Sequence, residues 1–180
     1  MTMPPTPPSD KTAFVWGPDD LMELPRAGLL ELGVPAAGLP EDDWVPRLVP
    51  GVYDADGAPE PLAPFALVQL QAGGVAVDAR LVLLGTVPGS ANLLYVIDAG
   101  SGEVLQFDRR SRGVRGVNSS YRWFVEFLWQ IEAAKKQRGA DEIADVLSPG
   151  LRATLGTVDP FAFQAEQWWP AVWRELAPSG

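Results

Sequence analysis

The fold is decided by residues 93–128, which begin with the apolar run Leu93-Leu94-Tyr95-Val96-Ile97 and the turn-forming run Asp98-Ala99-Gly100-Ser101-Gly102. A second run of strand type, Glu103-Val104-Leu105-Gln106-Phe107, follows at once. Aspartate and glycine tolerate the positive φ angles that tight turns require, so the pattern predicts a β-hairpin. This hairpin is expected to form the centre of an antiparallel sheet.

A helix is predicted after the hairpin, beginning at Asn118-Ser119-Ser120. Serine hydroxyls cap helices by accepting hydrogen bonds from the first free amide groups. The helix is expected to end near Gly139 and to carry one apolar stripe at i, i+3, i+4 and i+7, which suits it to cover a sheet face. The stripe consists of Phe124, Phe127, Leu128 and Ile131.

The rest of the chain predicts further short elements around this centre. Apolar runs at 65–70 and 80–84 predict two more strands of a meander, and brief strands are expected at 14–16 and 48–49 within otherwise loop-rich sequence. Helical segments are predicted at 26–32, at 142–147, after Ser148-Pro149 and Asp159-Pro160, and at the Trp-rich end, where Pro170 is expected to interrupt the helix. We predict that residues 1–12 form a flexible Pro-rich tail. Residues 13–180 are predicted to form a single α+β domain, in which helices pack against a mainly antiparallel sheet of about four to six strands.

Composition limits the catalytic and metal-binding chemistry that the chain can perform, because its 180 residues include neither cysteine nor histidine. Disulfides, the usual zinc ligands, the common general base and the partner of most serine nucleophiles are therefore missing. No catalytic residue, metal ligand or cofactor-binding residue is predicted. Asp98 and Glu103 are explained by the hairpin turn and the serines by helix capping, although a small carboxylate-dependent enzyme remains an alternative.

Two glycine-containing motifs also have simple interpretations. The run Asp54-Ala55-Asp56-Gly57 resembles the start of a calcium loop but lacks its later ligands, so a plain turn is favoured. The pair Gly73-Gly74 lacks the rest of a phosphate loop and is interpreted as hairpin glycine. The first ten residues lack a signal-peptide pattern, and no segment approaches the ~20 apolar residues of a membrane span, which predicts a cytoplasmic protein.

Charge is distributed unevenly: residues 1–78 hold 12 acidic and 3 basic side chains, whereas residues 79–180 hold 11 of each. Four arginines, Arg109, Arg110, Arg112 and Arg115, crowd one predicted loop. An acidic chain with one small basic patch is a poor nucleic-acid binder, so neither direct nucleic-acid binding nor membrane binding is expected. The predicted partner is a protein that is basic where it docks, and the predicted partner-binding residues are Trp16, Glu41, Asp42, Asp43, Trp44, Asp54 and Asp56.

The order of short motifs resembles the SUKH superfamily of bacterial immunity proteins, also called SMI1/KNR4-like, and in particular its SUKH-4 branch. The resemblance spans residues 21–176 and rests on five segments: Leu24-Pro25-Arg26, Leu32-Gly33-Val34-Pro35, the Asp98-to-Val104 turn, Val117-Asn118-Ser119-Ser120, and Val158-Asp159-Pro160 followed by Trp168-Trp169. Within these segments, Asp98, Gly102, Asn118, Ser119 and Asp159 look structural.

This resemblance implies an SMI1/KNR4-like domain that is not an enzyme. It implies an immunity protein that binds and neutralises a cognate toxin of a polymorphic or contact-dependent toxin system by protein–protein association. Such toxins often act on nucleic acid. The same resemblance leaves open a regulatory adaptor like the fungal SMI1/KNR4 members, without a toxin partner.

Overall fold

The computed structural model describes residue 4 and residues 6–68, 71–72, 75–76 and 80–177. In this part of the chain there are five α-helices: α1 Asp10–Val15, α2 Arg26–Glu31, α3 Tyr121–Arg138, α4 Pro149–Val158 and α5 Trp168–Leu176. The strands are β1 Leu21–Glu23, β2 Trp44–Pro46, β3 Leu48–Val49, β4 Tyr53–Asp54, β5 Leu67–Val68, β6 Gln71–Ala72, β7 Val75–Ala76, β8 Leu81–Val87, β9 Ser90–Asp98, β10 Val104–Asp108 and β11 Val114–Asn118. Single 3₁₀ turns lie at Pro18–Asp20, Ala36–Gly38, Ile143–Asp145 and Pro160–Phe163.

Seven strands form the central sheet in the order β11-β10-β9-β8-β4-β3, with β5 also paired to β8. All of these pairings are antiparallel. Two small two-stranded sheets, β1 with β2 and β6 with β7, complete the described strands. The α+β class with a mainly antiparallel sheet is therefore confirmed, and the sheet is slightly larger than the four to six strands predicted.

The predicted hairpin is present as β9 and β10, with Ile97 opposite Val104 and Leu94 opposite Phe107. Its turn depends on Asp98, whose carbonyl oxygen accepts a hydrogen bond from the Gly102 N–H at 2.7 Å. The Asp98 carboxylate also accepts from the Gly100 N–H at 2.9 Å. Gly102 has a φ of +81°, which a residue with a side chain rarely adopts.

Helix α3 begins and ends where the sequence predicts. The Ser120 hydroxyl accepts a hydrogen bond from the Trp123 N–H at 3.2 Å, and Gly139 ends the helix in the left-handed conformation. The predicted apolar stripe is buried on the inner face of the sheet, with the ring of Phe124 5.1 Å from that of Tyr95. Helix and sheet thus form the two layers of the main core.

Helix α5 closes the core with Trp168, Trp169 and Trp173, all of which are buried. The prediction that Pro170 interrupts this helix is wrong. Pro170 is the third residue of α5, and N–H groups in the first turn have no partner within the helix, so the missing donor costs no helical hydrogen bond.

Several local predictions need correction. The strand predicted at 14–16 is wrong, because Ser9 accepts a hydrogen bond from the Thr12 N–H and begins α1 there instead. The strand predicted at 65–70 is described only as β5, since Gln69 and Leu70 lie outside the described residues, as does the Gly73-Gly74 pair. The arginine loop is shorter than predicted, because Arg115 belongs to β11.

The loop-rich region at 38–64 contains β2 and β4 in addition to the predicted strand at 48–49, which is confirmed as β3. Asp54-Ala55-Asp56-Gly57 is a turn, as predicted, in which the Asp56 N–H donates to the Asp54 carboxylate at 2.9 Å. None of the helices in the described part of the chain has the length and apolarity that a membrane crossing requires.

Candidate functional site

A cleft of about 550 Å³ lies between three parts of the described structure. These are the N-terminal segment (residues 6–16), the acidic loop (residues 40–43) and the outward face of α3. The lining residues are Thr6, Pro7, Ser9, Lys11, Thr12, Trp16, Pro40, Glu41, Asp42, Asp43, Arg122, Trp123, Val125, Glu126 and Trp129. The cleft therefore combines aromatic surface with four carboxylates and two cations.

Helix α3 contributes a second stripe at i, i+3, i+4 and i+7, formed by Arg122, Val125, Glu126 and Trp129, which are all partly exposed. Trp123 lies beside this outer stripe, and the guanidinium of Arg122 is 5.0 Å from its ring centroid. The sequence analysis did not identify this outer stripe, in which Trp129 is partly buried and packs against the main core. The signal was available, because the outer stripe repeats the spacing of the core stripe two residues earlier along the helix.

The N-terminal segment lies against α3 through Lys11. The Lys11 ammonium pairs with the Glu126 carboxylate at 2.5 Å and lies 4.8 Å from the centroid of the Trp129 ring. The Trp129 indole N–H donates to the Lys11 carbonyl oxygen at 2.8 Å. A further indole N–H, that of Trp44, donates to the Thr6 carbonyl oxygen at 2.6 Å.

The acidic loop is joined to the N-terminal segment by Asp42. Its carboxylate accepts hydrogen bonds from the Ser9 N–H at 2.9 Å, the Thr12 hydroxyl at 2.7 Å and the Trp44 N–H at 3.0 Å. Burial acts to raise the pKa of Asp42, but the hydrogen bonds from Thr12, Ser9 and Trp44 favour the charged form and hold the pKa below its ordinary value of 3.8. Asp42 is thus held as a carboxylate at one wall of the cleft.

The other carboxylates of the predicted docking surface have partners within the chain. Glu41 pairs with Arg122 at 3.0 Å, and Asp43 pairs with Arg26 at 3.4 Å. The Glu41 side chain remains 81% exposed, which leaves it the more accessible of the two to a partner. Exposed ion pairs of this kind contribute little stability, so they can be exchanged for contacts with another protein.

The predicted partner-binding residues are only partly brought together. Glu41, Asp42 and Asp43 line the cleft, and Trp44 is half-buried beside it, whereas Asp54 and Asp56 are not among the lining residues. Asp56 instead pairs with Arg47 at 3.7 Å.

Trp16 differs from the expectation of a surface ring, because it is only 4% exposed and belongs to the main core. The sequence analysis predicted it as a partner-binding residue, but α1 and the adjoining 3₁₀ turn carry it inward against the core. One edge of its side chain still lines the cleft. Its buried indole N–H has no hydrogen-bond acceptor among the described residues.

The arginine-rich turn lies at the β10–β11 hairpin and contributes no residue to the lining of the cleft. Arg109, Arg110 and Arg112 are exposed and form no ion pair with any described residue. Arg115 packs over the Trp168 ring at 5.7 Å. The cleft and this basic turn are therefore separate surfaces.

The motif residues at the end of β11 form a buried polar network. The Asp159 carboxylate accepts from the Asn118 side-chain amide at 3.0 Å and from the Ser119 N–H and hydroxyl, each at 2.9 Å. The Asn118 carbonyl oxygen accepts from the Trp169 indole N–H at 2.9 Å. These contacts join the end of β11 and the residue before the α3 cap to the end of α4 and to α5, and they give Asn118, Ser119 and Asp159 a structural role.

Three tyrosines, Tyr53, Tyr95 and Tyr121, are buried in the main core between the central sheet and α3. Burial raises the pKa of each of them above the ordinary value. The Tyr53 hydroxyl donates to the Leu84 carbonyl oxygen and the Tyr95 hydroxyl to that of Val52. Within the described ranges, no group of three acidic side chains is placed to hold a metal ion.

Comparison with known proteins adds one finding to this geometry. A family model described as SUKH-4 immunity protein matches residues 15–175. No significant match is found among curated proteins or solved structures. The matched range covers most of the chain and includes β1 to β11, α2 to α4 and most of α5. The chain belongs to the SUKH-4 immunity protein family.

Proposed function

We propose that the protein neutralises a cognate toxin by binding it at the cleft between the N-terminal segment, the acidic loop and α3. Family membership implies toxin immunity in general. The observation that carries the finer proposal is the partly exposed pair Trp123 and Trp129, held on a well-packed helix beside carboxylates. Partly exposed aromatic side chains on rigid elements supply most of the binding energy in many protein interfaces.

The proposed partner surface is basic. The cleft presents Glu41, Asp42, Asp43 and Glu126 against only two cations. Complementary charge accelerates association by steering the two proteins together, and it penalises partners of the wrong charge. A toxin that acts on nucleic acid is basic around its substrate site, since phosphate binding requires positive charge, and it therefore fits this surface.

The docking footprint is proposed to extend from the cleft across Trp44 towards Asp54 and Asp56. Strands β2 and β3 lead along the chain from Trp44 to β4, which ends at Asp54, and Asp56 pairs with Arg47 between β2 and β3. Trp16 contributes to the footprint as part of the floor of the cleft rather than as an exposed anchor. This proposal makes the acidic loop the centre of the electrostatic contact and the two aspartates its edge.

Neutralisation is proposed to be stoichiometric and not enzymatic. The absence of histidine and cysteine removes the thiol nucleophile and the commonest general base. The two serines at the start of α3 are engaged, Ser120 as the cap of the helix and Ser119 with Asp159. A binding protein needs none of this chemistry, and one copy is expected to protect against one toxin molecule.

The test is co-expression of the protein with a candidate toxin domain chosen from the genes that neighbour its own, scored by growth and by co-purification. Reversal of Glu41, Asp42 and Asp43 to lysine is expected to slow association at least tenfold at low salt and to weaken protection. Reversal of Asp54 and Asp56 is expected to have a smaller effect. The matched control reverses Arg109, Arg110 and Arg112 to glutamate and is expected to leave protection intact. Loss of protection in the control alone would place the toxin on the basic turn instead.

A further inference from the structure

The N-terminal segment forms one wall of the cleft and lies against the acidic loop and α3 in the way that a bound peptide would. It supplies one basic side chain, Lys11, which meets both a carboxylate and an aromatic face. It also supplies two main-chain carbonyl oxygens, those of Thr6 and Lys11, which accept from the indole N–H groups of Trp44 and Trp129. These contacts show which chemistry the cleft accepts.

Without residues 6–11, the cleft would be left with unmatched groups. Glu126 would lose the Lys11 ammonium, and the indole N–H groups of Trp44 and Trp129 would lose their acceptors. The indole N–H of Trp16, a residue that is only 4% exposed, already lacks an acceptor among the described residues. The vacated cleft would therefore present negative charge together with indole donors.

The contacts that hold residues 6–11 in place are individually weak. The hydrogen bonds of Thr6, Ser9 and the Lys11 carbonyl are exposed, and the Lys11 side chain is 52% exposed in its ion pair. Helix α1 has only six residues, and helices of this length have no stability of their own in water. The firm anchor lies further along, at the buried Trp16. Residues 6–11 can thus leave while the anchor stays.

We propose that residues 6–11 are an internal occupant of the groove between the acidic loop and α3, which they narrow to the present cleft, and that the partner displaces them with an extended basic segment of its own. This inference rests on the proposed function and names the partner's chemistry. A lysine or arginine of the partner takes the place of Lys11 between Glu126 and the Trp129 ring, where a cation is attracted by both groups. Main-chain carbonyl oxygens of the same segment accept from the indole N–H groups of Trp44 and Trp129. Each contact that residues 6–11 give up is thereby replaced by an equivalent contact from the partner.

The first experiment needs no toxin. In the full chain, Lys11→Glu places a carboxylate against Glu126 and is expected to loosen the internal occupant. The probe is a synthetic peptide of residues 4–13, Pro4-Pro5-Thr6-Pro7-Pro8-Ser9-Asp10-Lys11-Thr12-Ala13. It is expected to bind the Lys11→Glu protein at least tenfold more tightly than the original protein. The matched control, Arg110→Glu, makes the same charge change outside the cleft and is expected to bind the peptide no better than the original protein.

Indole N–H signals in a ¹H–¹⁵N spectrum report where the peptide binds. Addition of the peptide to the Lys11→Glu protein is expected to shift the signals of Trp44 and Trp129. The signals of Trp169 and Trp173, whose N–H groups donate to Asn118 and to the Ser148 carbonyl oxygen, are expected to stay in place. A peptide with Lys11→Arg should retain binding, whereas one with Lys11→Glu should lose it. A folded Lys11→Glu protein that does not bind the peptide would overturn the internal-occupant proposal.

If Lys11→Glu fails to fold, Lys11→Met serves in its place, because it removes the charge without adding repulsion. With the toxin domain as the probe, the loosened protein is expected to associate several-fold faster than the original. An unchanged or slower association, together with weakened binding by Trp129→Ala, would overturn the displacement step and leave the proposed toxin-binding cleft standing. Loss of any effect from Trp129→Ala would instead remove the cleft as the docking site.

Discussion

The two faces of α3 use the same spacing for different purposes. The inner stripe, from Phe124 to Ile131, is buried completely against the sheet, whereas the outer stripe, from Arg122 to Trp129, is half-covered by polar contacts with the N-terminal segment. Close packing makes the inner stripe intolerant of change. The outer stripe is held by exchangeable hydrogen bonds and ion pairs. One helix therefore separates the residues that maintain the fold from the residues proposed to meet a partner.

The largest expected effect is on the inner stripe. Phe127 is fully buried and its ring lies 5.4 Å from that of Trp169. Phe127→Ala is expected to lower the free energy of unfolding by roughly 3–5 kcal/mol, the usual range for a truncated core aromatic. Denaturant melts measure the loss, with Trp44→Ala as the half-buried comparison that should lose much less. A greater loss for Trp44→Ala would reverse this assignment of core and surface.

The next largest loss of stability is expected at the buried hydrogen-bond network around Asp159. Asp159→Ala removes the acceptor of three hydrogen bonds and leaves the amide of Asn118 and the donors of Ser119 without partners in a buried place. The expected loss is about 2–3 kcal/mol in the free energy of unfolding, since unpaired buried donors are costly. Asp141→Ala, an exposed aspartate, is the matched control. Equal melts for the two variants would show that the network contributes nothing.

A sharper contrast between the two stripes comes from Trp129→Ala. Stability is expected to fall less than for Phe127→Ala, whereas toxin binding is expected to weaken by about 2 kcal/mol, or about thirtyfold, as at a binding hot spot. Titration calorimetry with the toxin domain measures this. Phe161→Ala changes a partly buried aromatic outside the cleft and should leave affinity unchanged. Normal affinity for Trp129→Ala would separate the outer stripe from binding.

The smallest expected effect concerns pH and the acidic loop. The pKa of Asp42 is lowered in the folded protein, so its charged form adds stability above the ordinary value of 3.8, and this contribution is lost as pH falls through the lowered pKa. Asp42 is only partly buried, and solvent weakens its interactions, so the contribution should stay below about 1 kcal/mol. Melts of the original protein and Asp42→Asn should differ at pH 7 and converge towards pH 2. A difference that grows at low pH would contradict the assigned hydrogen bonds.

The parts of the fold that the sequence predicted well depend on local signals. The Asp98–Gly102 turn, the Ser120 cap and the glycine that ends α3 act within a few residues of themselves, so their neighbours in sequence suffice to recognise them. The buried stripe of α3 was predicted for the same reason. Its period is visible without knowledge of the partner surface.

The predictions that were wrong depend on contacts between distant segments. Trp16 lies in polar sequence but becomes buried because α1 folds back onto α3, more than 100 residues away, as the Lys11–Glu126 pair shows with its separation of 115 residues. The outer stripe that contains Trp129 is visible in the sequence as a second helix face. Only the position of the N-terminal segment makes that face one wall of a cleft. Strand β11 was missed because arginine and glycine are weak strand formers, and pairing with β10 overrides that preference.

The acidic residues show a similar division. The sequence placed Glu41, Asp42 and Asp43 on one surface, and the structure sets all three in the cleft lining. It gave no indication that each already has an intramolecular partner, because Arg122, Thr12 and Arg26 come from three different elements. Charge counts along a chain reveal where negative charge lies, but pairing depends on tertiary structure.

The buried network around Asp159 has a consequence for how the protein opens. Its hydrogen bonds join residues 40 to 51 positions apart, so none of them can form until distant segments have met. Partial opening of α5 would remove the Trp169 donor and admit water beside an otherwise buried carboxylate. Fluctuations that begin at α5 should therefore spread to the β11–α3 corner as one cooperative unit, and hydrogen exchange there should follow global unfolding while the N-terminal segment exchanges through local motions.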